Sequence, residues 1–399
     1  SKFDTLGTIE ASKSETGFIA NNPDNSFYIL LFSIVTILVI AAFLFMWYQN
    51  IKQAYENYRF EQINKKLVSD NEDLRQVGNK YYHRTLLAFP MVGMFLFTVI
   101  PLIFIILVAF TNFDAGHQPP NKLFGWVGFE NFKTLFSVAG SQGDAQDQTF
   151  AYTFKVVLGW TLIWAIIATF SCFFLGMIVA IIINKKGIKL KKFWRACLVT
   201  TIAVPQFISL LLMKNMLLSG AYDGIYNVIL KTVGLGKVNW LSDPNIAKVT
   251  VLVVNLWVGI PFTVLSCTGI LMNIPSDLYE AARIDGASPF KTYTSITLPY
   301  MMFVMAPSLI TSFIGNLNNF NVIFLLTSGN SALNDTLLHP KAQRTSLLIT
   351  WLYELTVNDQ GKKYGLASVI GLFMFVLCAI ASLITFSRSK SFKNEEDFQ

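Results

Sequence analysis

Charge, histidine and cysteine are scarce in this chain, and each scarcity excludes a class of function. Asp, Glu, Lys and Arg make up 14% of the residues against 53% apolar ones, and mean hydropathy is positive. That balance is far from a soluble globular domain. The four cysteines, Cys172, Cys197, Cys267 and Cys378, fall singly within or beside apolar runs, without the paired spacing of a disulfide framework or a thiolate metal site. All four read as small core residues. The three histidines, His83, His117 and His339, are scattered over loops and run ends, which argues against a shared metal or a catalytic base. No Gly-x-x-x-x-Gly-Lys-Ser/Thr phosphate loop is present, so the chain is not itself an ATPase. Residues 1–26 are polar where a secretory leader would carry a short apolar core.

What is present is apolar sequence in long runs: Phe27–Tyr48, Leu86–Phe110, Val156–Ile183, Ala196–Leu218, Val249–Leu271, Tyr300–Thr327 and Gly365–Phe386. Each reaches the roughly 20 residues that a helix needs to cross hydrocarbon. The fourth and sixth carry breakers or amides (Pro205; Pro307, Gly315, Asn316) but count as spans, because backbone in lipid must pair with itself. The expected fold is an all-α, polytopic membrane protein of about seven spans.

Basic residues set its orientation. Lys52, Arg59, Lys65, Lys66, Arg75, Lys80 and Arg84 lie between the first two runs, and Lys185, Lys186, Lys189, Lys191, Lys192 and Arg195 between the third and fourth. The positive-inside rule makes both loops cytoplasmic. The same alternation puts the 272–299 connection and the tail of Arg388, Lys390 and Lys393 inside. The positive net charge is thus topological, and the chain has no basic, aromatic-interleaved soluble face for nucleic acid. The organisation expected is an extracytoplasmic segment 1–26, a first span 27–48, a cytoplasmic helical linker 49–85, a six-span core 86–387 and a cytoplasmic tail 388–399. Residues 111–151, with the polar run Ser141–Thr149, form a small outer cap. An outside start at Ser1 without a leader implies one more span upstream; an open reading frame without such a helix would refute this.

One cytoplasmic connection carries a motif. It reads Pro275-Ser-Asp-Leu-Tyr-Glu280-Ala281-Ala282-Arg283-Ile284-Asp285-Gly286-Ala-Ser288-Pro289 and runs on to Ile296-Thr-Leu298-Pro299. Ser276 is the expected N-cap, with acidic Asp277 in the first turn. Leu278, Ala281, Ala282 and Ile284 supply apolar contacts, and Gly286 can take the left-handed stop. Ser288 and Pro289 then start a second short helix, giving a helix-turn-helix over 275–299 with small alanines that admit another protein's surface.

A second constellation lies in the neighbouring runs. Asn255, Gly259 and Phe262 share one helical face, as do Ser312 and Asn316. Polar residues in spans mark pathways, and these offer amides, a hydroxyl and a ring with no carboxylate or lysine. A midplane pocket so lined suits a neutral polyhydroxy ligand, although Asn and Ser also serve simply to hold helices together.

The loop motif resembles the EAA signature of ABC importer permeases: Glu-Ala-Ala, three residues, Gly, nine residues, Ile, one residue, Leu-Pro. The resemblance implies coupling helices that dock on a separate ATPase, through Glu280, Ala281, Ala282, Asp285 and Gly286. The stretch from Asn255 to Asn319 is most similar to the larger permease subunit of maltose/maltodextrin uptake systems. That implies sugar contacts at Asn255, Val258, Gly259, Phe262, Ser312, Gly315 and Asn316, with Val258, Phe262 and Gly315 departing from the family's residue types. It further implies a second homologous permease, two ATPase subunits that bind the ATP and magnesium, and an external sugar-binding protein. The short 111–151 segment points to a Gram-positive form with a lipid-anchored binding protein, and the setting is a bacterial plasma membrane. No cofactor is expected on this chain. The cargo stays open between maltodextrin, another oligosaccharide and a glycerol-phosphate-like solute. A secondary transporter would need midplane ionisable groups, and an intramembrane enzyme a nucleophile with its base; both are disfavoured.

Overall fold

The computed structural model describes residues 2–12, 22–62, 82–136, 145–185, 187–220, 222–334, 338, 342–358 and 361–388. Lys65, Lys66, Arg75, Lys80, Lys186 and His339, the tail beyond 388 with Lys390 and Lys393, and residues 141–144 of the polar run lie outside the described residues. Among those described, the regular elements are helices, with two isolated bridges pairing Thr111 with Trp126 and Asn334 with Gln343. In chain order the main helices are α1 (Ser26–Gln62), α2 (Leu86–Val108), α3 (Ala145–Asn184), α4 (Lys191–Ala203), α5 (Gln206–Met216), α6 (Ile225–Thr232), α7 (Pro244–Leu271), α8 (Ser276–Ile284), α9 (Leu298–Leu317), α10 (Phe320–Thr327) and α11 (Tyr364–Arg388), with shorter ones at Lys2–Thr5, Glu130–Phe136, Pro289–Thr292 and Leu348–Tyr353.

Among the described residues six helical runs are long and apolar enough to cross a membrane, and the fourth apolar run of the sequence joins them as a bent pair. Ala196–Leu218, counted as a span despite Pro205, is thus broken at that proline, and with the bent pair taken as one span the count reaches seven. α4 and α5 meet at 93°, where Val204 and Pro205 both adopt extended backbone, ψ 125° and 131°. The cause is local: Pro205 has no N–H to give, and its ring pushes Val204 out of the helical region. α1 continues well past its apolar stretch through Tyr55 and Tyr58, as a stalk. α3 starts earlier than the hydropathy indicates, taking in residues 145–149 of the polar run.

The chain divides into two compact units, residues 1–133 with 360–372, and 134–359 with 373–399. In the first, Leu6, Leu30, Ile34, Val108 and Phe124 form a buried cluster. Phe113 stacks on Tyr364 at 4.5 Å, and the Gly365 N–H donates to the Phe113 carbonyl at 2.9 Å.

In the second unit α3 and α7 pack along their length. A Cβ on Gly176 would lie 2.6 Å from Thr263 Cγ2, and one on Gly259 would lie 2.9 Å from Cys172 Sγ. Two glycines on opposite helices thus interlock with small residues, as helices do where packing rather than the hydrophobic effect drives association. Around this pair sit two apolar clusters. One centres on Trp160, Trp164, Leu210, Val251 and Val322, the other on Phe173, Met177, Val264, Cys267 and Met305. Only Cys267 of the four cysteines is buried; Cys172 and Cys378 are half-buried and Cys197 is exposed. Their reading as core residues is corrected for these three: α4 turns Cys197 outward, and Cys172 stands at the rim of a cavity.

The motif loop folds as a short helix, a turn and a helix start. The cap of α8 is Pro275, not Ser276; Ser276 is the first helical residue and its hydroxyl donates to Asp277 at 3.3 Å. Proline's fixed φ explains the shift, since Pro275 at φ −56°, ψ 132° already places the chain for entry. At the other end Gly286 takes φ +70°. The Ala287 and Gly286 N–H groups donate to the Ala282 and Arg283 carbonyls at 2.8 and 3.1 Å, the paired bonds of a Schellman stop. Ser288 then accepts from the Lys291 N–H at 3.2 Å and caps the next turn, with Pro289 at its first position.

Between α5 and α7, Asp223 takes ion pairs from Lys231 and, at 2.7 Å, from Lys237. Asn227 is buried, its amide donating to the Leu218 and Val238 carbonyls at 3.3 and 3.0 Å.

Gly176→Val is expected to lower stability by about 1–3 kcal/mol through overpacking against Thr263, while Gly269→Ala, which meets nothing within 4 Å, leaves the thermal midpoint in place. The Asp223 carboxyl is held at about 2, chiefly by Lys231 and then by Lys237. A depressed carboxylate stabilises above its unfolded value, near 4, and that contribution is lost as pH falls through about 2. Hydrogen-exchange protection in α6 is therefore expected to drop between about pH 4 and 2, and Asp223→Asn to abolish that dependence.

Candidate functional site

Three helices build one polar cavity of about 160 Å³ in the larger unit. α7 contributes Asn255, Gly259 and Phe262, with Thr263 and Ser266 further along. α9 contributes Ser308, Ser312 and Asn316, and α3 contributes Thr169, Cys172 and Phe173. The opposing faces meet because α3 and α7 approach closely at Gly259, which leaves room for Cys172 beside the backbone.

The amides are held by one another. Asn316 Nδ2 donates to Thr169 Oγ1 at 3.0 Å, and Asn319 Nδ2 lies 3.3 Å from Asn255 Oδ1 and 3.4 Å from Asn316 Oδ1. Asn319 is also the cap of α10, accepting from the Val322 N–H at 3.3 Å. The break between α9 and α10 thus places one side chain where it orients amides from both walls. Thr263 and Ser266 instead donate to carbonyls four residues back, both at 3.2 Å, which satisfies them within α7.

Of the seven positions picked out for sugar contact, Asn255, Gly259, Phe262, Ser312 and Asn316 come together here. Val258 and Gly315 do not. Each lies next in sequence to a lining residue, and one residue along a helix turns the side chain by about 100°. Val258 faces a second cavity of about 320 Å³ with Thr201, Pro205, Gln206 and Trp257, and Phe262 lines both. Gly315 is exposed, with nothing within 4 Å of a Cβ. Thr169, Cys172 and Phe173 were not legible as site residues, because their run is apolar and unbroken; the small polar pair Thr169 and Cys172, three apart, is the one available signal.

The lining holds no carboxylate, ammonium, guanidinium or imidazole. It can present amide and hydroxyl donors and acceptors and the rings of Phe173 and Phe262, and it offers no acid–base pair. At the motif, Glu280, Ala281, Asp285 and Gly286 are exposed and Ala282 is packed inward. Leu278 and Ile284, read as supplying apolar contacts, face outward, Ile284 at 87% exposure. The contacts they can make are therefore with another molecule.

Residues 172–387 match the family model of the binding-protein-dependent transport system inner membrane component. The galactooligosaccharides transport system permease protein GanP of Bacillus subtilis is 35% identical over 93% of this chain and 85% of its own length. The maltodextrin transport system permease protein MdxF of the same organism is 33% identical over 94% and 84%. The maltose/maltodextrin permease MalF of Escherichia coli is 32% identical over 66% of this chain and 49% of its own length. Among solved structures, a bacterial alginate ABC transporter in complex with an alginate pentasaccharide-bound periplasmic protein superposes with a TM-score of 0.62. It is 21% identical and covers 79% of this chain and 96% of that one, a likeness of fold.

Gly259→Ala is expected to cost about 1–2 kcal/mol by driving a methyl group into Cys172, and Cys172→Ala to relieve most of that cost. A double-mutant cycle on thermal unfolding reads the coupling; additive effects would refute the interlock.

Proposed function

This chain belongs to the family of binding-protein-dependent transport system inner membrane components, and on that premise we propose that it is the permease subunit of an ATP-driven importer of neutral oligosaccharides. The observation that carries the cargo class is the lining of the α3–α7–α9 cavity. Amides, hydroxyls and two phenyl rings converge there with no charged group, the chemistry that hydroxyl-rich, uncharged ligands require. The alginate transporters of like fold import an acidic polysaccharide; a cavity without a cation is poorly suited to uronate carboxylates. A glycerol-phosphate-like solute is disfavoured on the same ground.

Within that class the proposed cargo is a maltodextrin, on the resemblance of the Asn255–Asn319 stretch. A galactooligosaccharide is the second reading, favoured by the likeness to GanP. The proposed partners are a second homologous permease, two ATPase subunits and a lipid-anchored sugar-binding protein, with the basic loops and C-terminus in the cytoplasm. α8 is the coupling helix. Its exposed Glu280, Leu278 and Ile284 dock on the ATPase, and nucleotide-driven closure moves the bundle between inward- and outward-facing states.

Proteoliposomes holding this permease with its neighbouring permease, ATPase and binding protein are expected to show sugar-stimulated ATP hydrolysis. Asn316→Ala should raise the half-saturating sugar concentration about tenfold, the equivalent of ~1.4 kcal/mol, and Glu280→Ala should abolish uptake with little change in sugar binding. Stimulation by galactooligosaccharide alone would overturn the maltodextrin reading; stimulation only by charged solutes would overturn the oligosaccharide one.

A further inference from the structure

A cavity of about 490 Å³ lies between α8 and the ends of α3 and α7, away from the oligosaccharide site. Its lining includes two cations, Lys185 and Arg283, and no carboxylate. Neither cation forms an ion pair among the described residues. The acids of α8, Asp277, Glu280 and Asp285, do not line the cavity.

The adjoining polar groups are committed elsewhere. Asn184 at the end of α3 donates to the Ala180 carbonyl at 2.7 Å and to Thr268 Oγ1 at 3.1 Å. It accepts Lys191 Nζ on its carbonyl at 3.0 Å and Arg195 on its side-chain oxygen. Tyr279 and Thr297 share a 3.1 Å hydrogen bond. The lining therefore combines unneutralised positive charge with Tyr293, in a cleft beside α8. Lys185 and Arg283 are both exposed residues that line this one cavity, and a guanidinium fork and an ammonium that share a cavity without a carboxylate are groups that can take a phosphate or similar oxyanion.

We propose that this cavity binds a phosphate-bearing anion, held between Lys185 and Arg283, which braces α8 against α3 and α7. The inference rests on α8 being the coupling helix for its consequence, that the anion stiffens the link through which ATPase closure reaches the spans. The site itself stands on the cavity alone. A lipid headgroup from the adjacent leaflet and free phosphate share this chemistry.

The test uses the complete transporter in nanodiscs, with its native cysteines replaced and a reporter Ala287→Cys in the cavity lining. Labelling by N-ethylmaleimide is followed in phosphatidylcholine, in phosphatidylcholine with phosphatidylglycerol, and in phosphatidylcholine with inorganic phosphate. Ile284→Cys, outside the lining, serves as the reference. Labelling of the reporter should slow about tenfold when the anion is at about ten times its Kd. Lys185→Gln should cancel the protection and Lys185→Arg restore it. Protection only with phosphatidylglycerol assigns the lipid, and protection by inorganic phosphate assigns the soluble anion. Equal labelling in all three, protection that survives Lys185→Gln, or a reporter blocked in every condition because the ATPase fills the cleft would each overturn the proposal. Loss of coupling in Glu280→Ala is read separately, by ATP hydrolysis and uptake, so failure of the coupling reading leaves the labelling result intact.

Discussion

Gly176 and Gly259 let α3 and α7 approach until Thr263 and Cys172 occupy the space that a Cβ would fill. In hydrocarbon, where lipid tails are as apolar as leucine, this kind of surface fit is what holds helices in register. The polar cavity of the larger unit is built around that contact. It brings Thr169 within reach of Asn316 and Cys172 alongside Asn255, and it fixes which face of α7 looks into the cavity. The two apolar clusters flank the contact and make it rigid.

The second organising constraint is that backbone polar groups in a span must find partners. At three helix breaks among the described residues a specific group answers for the loss. At Val204–Pro205 the missing N–H belongs to a proline, so one donor fewer needs a partner. At Asn318–Asn319 the Asn319 side chain caps the new helix and ties the break to the cavity. At Gly286 the two N–H groups of the turn satisfy the orphan carbonyls of α8. The irregular points of the backbone are therefore also the points at which the chain presents polar groups for use.

Much of this was legible beforehand, for reasons that differ by element. The spans announce themselves because twenty apolar residues admit few alternatives, and the stop at Gly286 does because a left-handed residue between two short amphipathic stretches favours glycine. The pairing of the 255–262 face with the 312–316 face followed from helical spacing. What spacing could not supply was the third wall. Thr169 and Cys172 sit in an unbroken apolar run, and only the depth to which α3 inserts, set by glycines on both helices, brings them to the cavity. Val258 and Gly315 fall outside this cavity for the opposite reason: a resemblance carries positions across without their azimuth, and a turn of about 100° sends a side chain to another surface. The exposure of Leu278 and Ile284 was likewise hidden, because an amphipathic pattern shows that an apolar face exists, not whether this chain or another covers it.

The mutual bonding of Asn255, Asn316, Asn319 and Thr169 makes entry into the cavity an exchange. A solute that arrives with one hydroxyl recovers about what it disrupts, since each internal hydrogen bond is worth on the order of 1 kcal/mol net. Gain begins only when a ligand engages several of these groups at once and leaves none unpaired. Discrimination then rests on counting hydroxyls rather than on steric fit. Small alcohols, with one hydroxyl to offer, would gain little there even though they are small enough to enter.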